Sequence, residues 1–543
     1  MIVEAEVDDG GTLSYQWYSN TANNNTGGTE ISGATSKSYT PPTGTEGITY
    51  YYVVVTNTNA DAPGLKTAKT TSNAAEVMVS SSLHQGNGSE SFDLATSVSL
   101  PYMYPTLTIP AGYTSVTNSS STIPEAAWYN NNFPNLASVT IGNDVKSIGS
   151  RAFYNCTKLI SVTIENSVKT IESRAFYGCN KLESLTIGNS VTSIGSVAFN
   201  GCTSLISVTI PAGVTNFEPD AFNGCTKLIE IAVDADSNKY ISDDGIVYNL
   251  EKTTLVRYPQ GKPAGSFTIP DYVTSIGSYA FYGCTSLTGD IPAGITNIDS
   301  YAFYNCTGLT NVNIPAGVAS VSSNAFYGCN GLISVNIPVG VTSIGSFAFS
   351  GCNKLTEVTI PGVTSIGSSA FSSCSKLESV TIPSVTSIGS SAFASSSLTS
   401  VSIPASVTSF EPSAFNSCTK LAEINVDAAN NKYSSDDGIM YNIEKTTLIR
   451  HPQGKSADSF IIPAGVTSIG SYAFYGCTSL ASIPNSVTSI GSYAFYGCTG
   501  LTSLTIPDGV TSISSNGFYN CTGLTSVAIP NKRKMTHFTQ LQG

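Results

Sequence analysis

Charge is scarce in this chain. Only 11% of its 543 residues are Asp, Glu, Lys or Arg, and 36 acidic residues outnumber 24 basic ones, leaving a net charge of −12. That balance argues against a nucleic-acid partner, because phosphate binding needs clustered Lys and Arg to release counterions. Histidine is scarcer still. His84, His451 and His537 are scattered, and no H-x-x-x-H, Cys-His pairing or G-x-S-x-G elbow occurs. No apolar run approaches the roughly 18 residues of a membrane-crossing helix. Met1 is followed by "IVEAEVDDGG", which lacks the basic and apolar regions of an export signal. The expectation is a fragment whose export signal lies upstream. Apolar residues make up 41% of the chain, which excludes wholesale disorder. The remaining polarity is largely Ser, Thr and Asn, a composition suited to the outside of a cell.

What is present is repetition. "GSYAFYGCTSL" occurs at Gly277–Leu287 and again at Gly470–Leu480, with a near copy at Gly491–Leu501. Fourteen phenylalanines from Phe153 to Phe518 mark the beat, most of them 22 or 23 residues apart, with two gaps of 59. A period in the twenties is the signature of a leucine-rich solenoid. In the unit "LISVTIENSVKTIESRAFYGC" (Leu159–Cys179), Val162 and Ile164 alternate with Thr163, so a short strand turns two side chains inward and one outward. Val168 and Ile171 form a second extended piece, and Ala175-Phe176 is expected in a short helical or 3₁₀ turn. Each unit holds too few apolar residues to bury them alone, so units must stack, each Phe resting on the next.

All thirteen cysteines lie three residues after a marker phenylalanine, and none is closer than 21 residues to another. Zinc sites need Cys pairs two to four residues apart, and an odd number cannot pair completely. A buried ladder of free thiols is the expectation, with occasional disulfides between stacked neighbours the alternative. In the unit of Phe393 the slot is lost, "ASSSL" replacing "YGCTSL".

The array reads from Leu107 to Pro530, about 14 units plus a capping repeat at Leu107–Leu136, where Trp128 replaces the phenylalanine. A non-repeat tail, 531–543, follows. The two long gaps hold matching islands at 234–262 and 427–455, expected as three-strand meanders, with Asp244-Gly245 and Asp437-Gly438 as tight turns. Asp234, Asp236 and Asn238 imitate the start of a calcium loop, but Lys239 and Gly245 stand where that loop needs Gly and Glu. Residues 1–80 follow another grammar. Trp17 in one strand and the Tyr-rich "GITYYYVVVTN" some 35 residues later read as a small immunoglobulin-like β-sandwich without its disulfide. Residues 81–106 read as linker.

The unit "SVTIPxSVTSIGSxAFxGCTSL" and the island "NKYxSDDGIxYNxEKTTLxRxPQGK" together resemble the BspA-type leucine-rich repeat proteins, over about four fifths of the chain. These are cell-surface and secreted proteins of gut and oral bacteria and of some mucosal protozoa. The resemblance implies a β-rich α/β fold, a right-handed leucine-rich repeat solenoid. It also implies adhesion to host matrix proteins such as fibronectin or fibrinogen, to epithelium, or to other microbes, with an extracellular protein or glycan as the ligand. It brings no fixed set of ligand residues and no cofactor.

Binding residues must therefore come from the pattern itself. In the fullest units one tyrosine precedes Ala-Phe and another follows it. Tyr279, Tyr282, Tyr301, Tyr304 and Tyr327 lie after the first island; Tyr472, Tyr475, Tyr493, Tyr496 and Tyr519 lie after the second. Two readings fit: rings packed between successive turns as part of the wall, or a ligand-contacting patch of the kind tyrosine favours at interfaces. Outward strand positions, among them Ser161, Thr163, Ser184, Thr186, Ser207, Thr209, Thr359 and Thr381, carry small hydroxyls. An enzyme would need singular residues in a constellation. A glycosidase, for example, needs two acids facing across a cleft, and nothing in the sequence places Asp243, Asp244, Asp436 or Asp437 so. A non-enzymatic adhesion protein is the expectation, with a structural stalk presenting the N-terminal module as the alternative.

Overall fold

The computed structural model describes residues 11–79 apart from 23, 42–46 and 60–66, the isolated positions 3 and 5, and the strands Glu90–Asp93, Thr106–Ile109 and Tyr113–Thr117. From 136 to 528 it omits only 143–144, 265–266, 456–459 and 478–481. Trp128 and most of the expected capping repeat, most of the linker, the tail, His84 and His537 lie outside the described residues. The chain divides into two compact units, the first drawn essentially from residues up to Glu90.

The second unit is a β-solenoid of about 16 turns. Ser161–Ile164 shows how a turn is built. Val162 and Ile164 are buried to 1% exposure. Ser161 pairs in parallel and in register with Ser138 on one side and Ser184 on the other. A second row is made of two-residue strands: Thr170–Ile171 lies between Ser147–Ile148 and Ser193–Ile194. A third side closes the coil, where the Phe153 N–H donates to the Ala175 carbonyl and the Asn155 N–H to that of Tyr177, each at 2.7 Å. This turn is thus hydrogen-bonded to its neighbours along three edges, which satisfies backbone groups that an isolated turn would leave open.

The strand–helix alternation expected of an α/β array is not formed. The one helical element among the described residues is a 3₁₀ turn at Pro412–Phe415. The reason is local. The residue before Ala-Phe takes a left-handed φ, +59° at Arg174, and so does the residue two after Phe, +74° at Gly178. A left-handed residue at each end stops helical propagation and aims the intervening N–H and C=O groups at the next turn.

The phenylalanines form a spine. Phe153 and Phe176 stack at 5.0 Å between centroids, and Phe281 and Phe303 at 5.2 Å, with their planes nearly parallel. Such offset stacks add about 0.5–1.5 kcal/mol each beyond burial. Beside them all thirteen cysteines are free and buried. Most of the thiols donate to a carbonyl of an earlier turn: Cys179 Sγ to that of Phe153 at 3.2 Å, and Cys329 Sγ to that of Phe303 at 3.1 Å. Burial pushes the thiols of Cys284, Cys329 and Cys374 up to about 12, away from reactivity. Where the sequence drops a cysteine, Ser396 occupies the slot and meets Cys418 Sγ at 3.2 Å.

Each island is a three-strand antiparallel meander. In the first, Tyr240–Asp243 and Ile246–Asn249 are joined by Asp244 and Gly245, at φ of +50° and +71°. That pair of left-handed residues makes the hairpin turn that Asp-Gly favours. Thr254–Arg257 follows and pairs in parallel with Ser275–Ile276, so the island re-enters the second strand row. Tyr258 then takes the phenylalanine slot, 5.4 Å from Phe281; in the second island His451 takes it, 5.4 Å from Phe474.

The first unit is an antiparallel sheet. Strand β1 (Thr12–Asn20) lies between β2 (Thr29–Glu30) and β3 (Gly47–Thr58), and the far edge of β3 carries β4 (Thr67–Thr71) and β5 (Ala75–Val79). Trp17 packs with Val53 and Val55, and its indole N–H donates to the Ser36 carbonyl at 2.8 Å. The second, facing sheet of an immunoglobulin-like sandwich is not formed among the described residues.

Candidate functional site: two tyrosine terraces

The ten tyrosines picked out by the repeat fall into two sets on the third side of the coil. Tyr279, Tyr301, Tyr472 and Tyr493 precede Ala-Phe at φ between +56° and +61°. That conformation turns their side chains away from the core that Ala and Phe occupy. Rings in the same slot stack turn upon turn: Tyr279 on Tyr301 at 4.6 Å, Tyr282 on Tyr304 at 5.0 Å, Tyr304 on Tyr327 at 4.7 Å. The second set repeats this, with Tyr472 on Tyr493 at 5.1 Å and Tyr475 on Tyr496 at 4.9 Å. The two columns are tied across, Tyr279 to Tyr282 at 6.0 Å and Tyr472 to Tyr475 at 6.0 Å.

Nine of the rings are half-buried, and Tyr519 at the end of its column is 47% exposed. Ring faces are covered by the neighbouring ring, which leaves the edges as the accessible part. Burial, with Tyr301 next to it, pushes the Tyr279 phenol up to about 12, and burial raises Tyr282, Tyr304 and Tyr472 as well. These phenols stay protonated at neutral pH as donors. The geometry is that of wall packing, ring on ring from turn to turn, and it leaves part of each ring accessible.

Two arginines that sequence reasoning missed underlie the terraces. Arg257 and Arg450 stand in the slot that alanine fills in ordinary turns, and both are fully buried. Arg257 Nη1 donates to the Tyr279 carbonyl at 2.6 Å and to Asn223 Oδ1 at 2.8 Å, and Nη2 to the Phe222 carbonyl at 3.4 Å. Arg450 repeats the set with the Tyr472 carbonyl, Asn416 Oδ1 and the Phe415 carbonyl, and lies 5.8 Å from the Tyr475 ring. The signal was in plain view: the island turn lacks a cysteine, so the preceding Phe carbonyl loses its usual thiol donor and arginine supplies another. Burial lowers both guanidinium pKa values, and the Nε of each makes no hydrogen bond.

The island carboxylates act as turn anchors. Asp243 pairs with Lys252 at 2.7 Å and Asp244 with Lys262 at 3.1 Å; Asp436–Lys445 and Asp437–Lys455 copy them. The threonines of the second row are spent internally, as when Thr364 and Thr386 Oγ1 donate to the carbonyls of Thr342 and Thr364. Ser184, Thr186, Ser207, Thr209, Thr359 and Thr381 are exposed on the long-strand row, whereas Ser161 and Thr163 are half-buried.

The structure brings together one pair that the sequence kept apart. His451 Nδ1 lies 3.7 Å from Cys477 Sγ, 26 residues on but one turn away. This is not an active dyad. Nδ1 also faces the Pro452 carbonyl at 3.0 Å, which requires a proton on that nitrogen, and burial drives His451 down to about 4 and Cys477 up to about 12. Both groups are neutral and walled off from solvent. A recess of about 460 Å³ beside the second island is lined by Val380, Ile382, Ser402, Asn425 and Asp427 among others, and its one carboxylate, Asp427, accepts the Ala429 N–H at 2.8 Å. Among the described residues no three His, Cys, Asp or Glu side chains converge as metal ligands.

A three-sided coil of short parallel strands around a phenylalanine spine defines a leucine-rich repeat solenoid, a class of generally non-enzymatic, protein-binding folds. The chain belongs to the BspA type leucine rich repeat region family (6 copies), whose model matches residues 121–249, 260–363, 352–455 and 453–540. Among solved structures it is similar to a leucine-rich repeat protein from Eubacterium ventriosum, at 24% identity over 62% of this chain and 87% of that one, with a TM-score of 0.47. It is also similar to the pneumococcal vaccine antigen PcpA, at 19% identity over 67% and 83%, TM-score 0.38. A leucine-rich repeat protein from Bacteroides ovatus matches at 22% identity over 79% and 82%, TM-score 0.29. No curated protein matches the chain.

Proposed function

We propose that the protein is a non-enzymatic adhesin, displayed at or released from a cell surface, that grips an extracellular protein partner along its tyrosine terraces. The observation that carries this reading is the recurrence of the same two-column stack after each island, 193 residues apart, with Tyr279–Tyr301 and Tyr472–Tyr493 in equivalent positions. Tyrosine is optional for the fold at these slots. Ser369 and Ser391 fill the first with the same left-handed backbone, and Ser350 and Ser372 fill the second. Rows of half-buried rings, already ordered by stacking, lose little entropy on contact and bury area while keeping a polar tip. Two such rows on one chain add their contacts by avidity. Host matrix proteins such as fibronectin or fibrinogen are partners of the matching kind.

In this reading residues 1–80 are a separate module built on one antiparallel sheet, joined by a linker at 81–106 to the array at 107–530, with 531–543 a tail. That the first unit is compact in itself favours one competing reading, a stalk that merely presents it. The test is binding of the full chain to immobilised fibronectin, fibrinogen and epithelial cells. The quadruple change to Ser at Tyr472, Tyr475, Tyr493 and Tyr496 is expected to lower affinity by about tenfold or more, since hot-spot truncations cost ~2 kcal/mol or more. Unaltered binding by that variant, with binding lost on blocking the first unit, establishes the stalk instead.

A further inference from the structure

The solenoid carries a third tyrosine stack, N-terminal to the first island and set in charge. Tyr154 and Tyr177 stack at 5.0 Å on consecutive turns. Each follows an arginine in the left-handed slot, Arg151 and Arg174, both at φ +59° and both exposed. Each precedes an exposed lysine, Lys158 and Lys181, and each turn carries another at the edge of its second strand, Lys146 and Lys169. The Lys169 N–H donates to the Lys146 carbonyl at 2.7 Å, so these positions lie in register on adjacent turns.

These six are the only Lys or Arg between Lys69 and Lys227 in a chain of net charge −12. Four acidic residues, Asp144, Glu165, Glu172 and Glu183, belong to the same stretch of sequence, and Glu172 Oε2 accepts the Ser150 N–H at 2.9 Å. Lys146, Lys158, Lys169, Arg174 and Lys181 form no ion pair among the described residues. Like charges in register one strand spacing apart repel. The fold does not require them, because the next turn fills the same three slots with Thr192, Val197 and Ser204. A cost repeated twice where neutral residues serve elsewhere points to an anionic ligand that offsets it.

We propose that the Arg-Tyr-Lys ridge of these two turns binds an acidic polysaccharide, one carrying a carboxylate or sulfate on successive sugars. The cation columns repeat at the turn spacing of about 4.8 Å, and one pyranose residue advances its chain by a similar distance. An extended acidic peptide advances about 3.3 Å per residue with alternate side chains on opposite faces, so its acids fall out of step. The tyrosine hydroxyls and ring edges between the columns suit sugar hydroxyls and C–H faces. A long duplex polyanion is disfavoured by the acidic remainder of the molecule, whereas a flexible sugar chain crosses the ridge alone. This reading rests on other residues than the ten of the terraces and does not depend on their role.

The test is titration of the full chain with fluorescent oligogalacturonate and dextran sulfate at low and physiological salt, with neutral dextran, poly-glutamate and oligothymidylate in parallel. Both anionic saccharides are expected to bind and to weaken as salt rises. The combined variant Lys146→Thr, Arg151→Ser, Lys169→Thr, Arg174→Ser introduces side chains that other turns already carry. It should lose about tenfold or more in affinity, with its melting temperature held or raised by relief of repulsion. The control Lys354→Ser, Lys376→Ser removes two cations from the Lys158/Lys181 slot on distant turns and should bind as the parent does. Binding that survives the fourfold variant, falls equally in the control, or is matched by neutral dextran overturns the proposal. Preferred binding of poly-glutamate or oligothymidylate overturns the ligand class.

Discussion

Arg450 Nη1 lies 2.6 Å from the carbonyl oxygen of Tyr472, a contact between a fully buried guanidinium and the left-handed residue that opens the second terrace. The first island repeats it between Arg257 and Tyr279, also at 2.6 Å. Each island is thereby locked to the turn that follows, so the tyrosine stack starts from a fixed base.

Arg450→Ala should therefore destabilise the array by about 3 kcal/mol. It strips donors from the Tyr472 and Phe415 carbonyls and from Asn416 Oδ1 and leaves a cavity. Arg450→Met retains most of the volume and should cost less. Urea unfolding followed by circular dichroism measures both; equal midpoints for parent and Arg450→Ala would show that the guanidinium carries no such load.

His451 predicts an acid sensitivity confined to the second island. Burial holds the folded-state value near 4, against about 6.5 in the unfolded chain. Between those values the unfolded chain binds more protons, so stability is complete above pH ~6.5 and is lost as pH falls toward 4. The loss should reach about 2–3 kcal/mol. His451→Tyr, which copies Tyr258 of the first island, should flatten that part of the stability–pH curve. An unchanged slope in the variant would assign the acid sensitivity to other groups.

Val197 sits at φ +49°, where a β-branched residue is under strain, in a slot held elsewhere by Asn324, Ser369 and Asn516. Val197→Asn should raise stability by about 1 kcal/mol. Its own N–H donates to Asp220 Oδ1, a bond the substitution keeps. A higher urea midpoint is the expected result, and a lower one would mean that its partial burial outweighs the backbone strain.

Much of the coil was legible from residue order because its rule is local and repeated. Alternation at Val162 and Ile164, the phenylalanine beat and the cysteine offset each place a side chain inward, and stacking copies the choice at every turn. The Asp-Gly turns of the islands were legible for the same reason, since Asp and Gly meet a backbone demand at their own positions. The ten tyrosines could be named, but not how their faces and edges would divide between wall and rim.

Contacts between turns join residues distant in the chain, 22 positions for Arg257 and Tyr279 and 26 for His451 and Cys477, and only the stacking register decides which side chains meet. That register set His451 against Cys477, put arginine in an alanine slot beneath a tyrosine, and aligned six cations in three columns. It also replaced the expected helical turns with backbone bonded to neighbouring turns. Composition and period thus determined that the chain must coil and what must lie inside. What the outer wall offers to a partner was decided by the coiling itself, because surface columns exist only once distant copies of one slot are brought a strand's width apart.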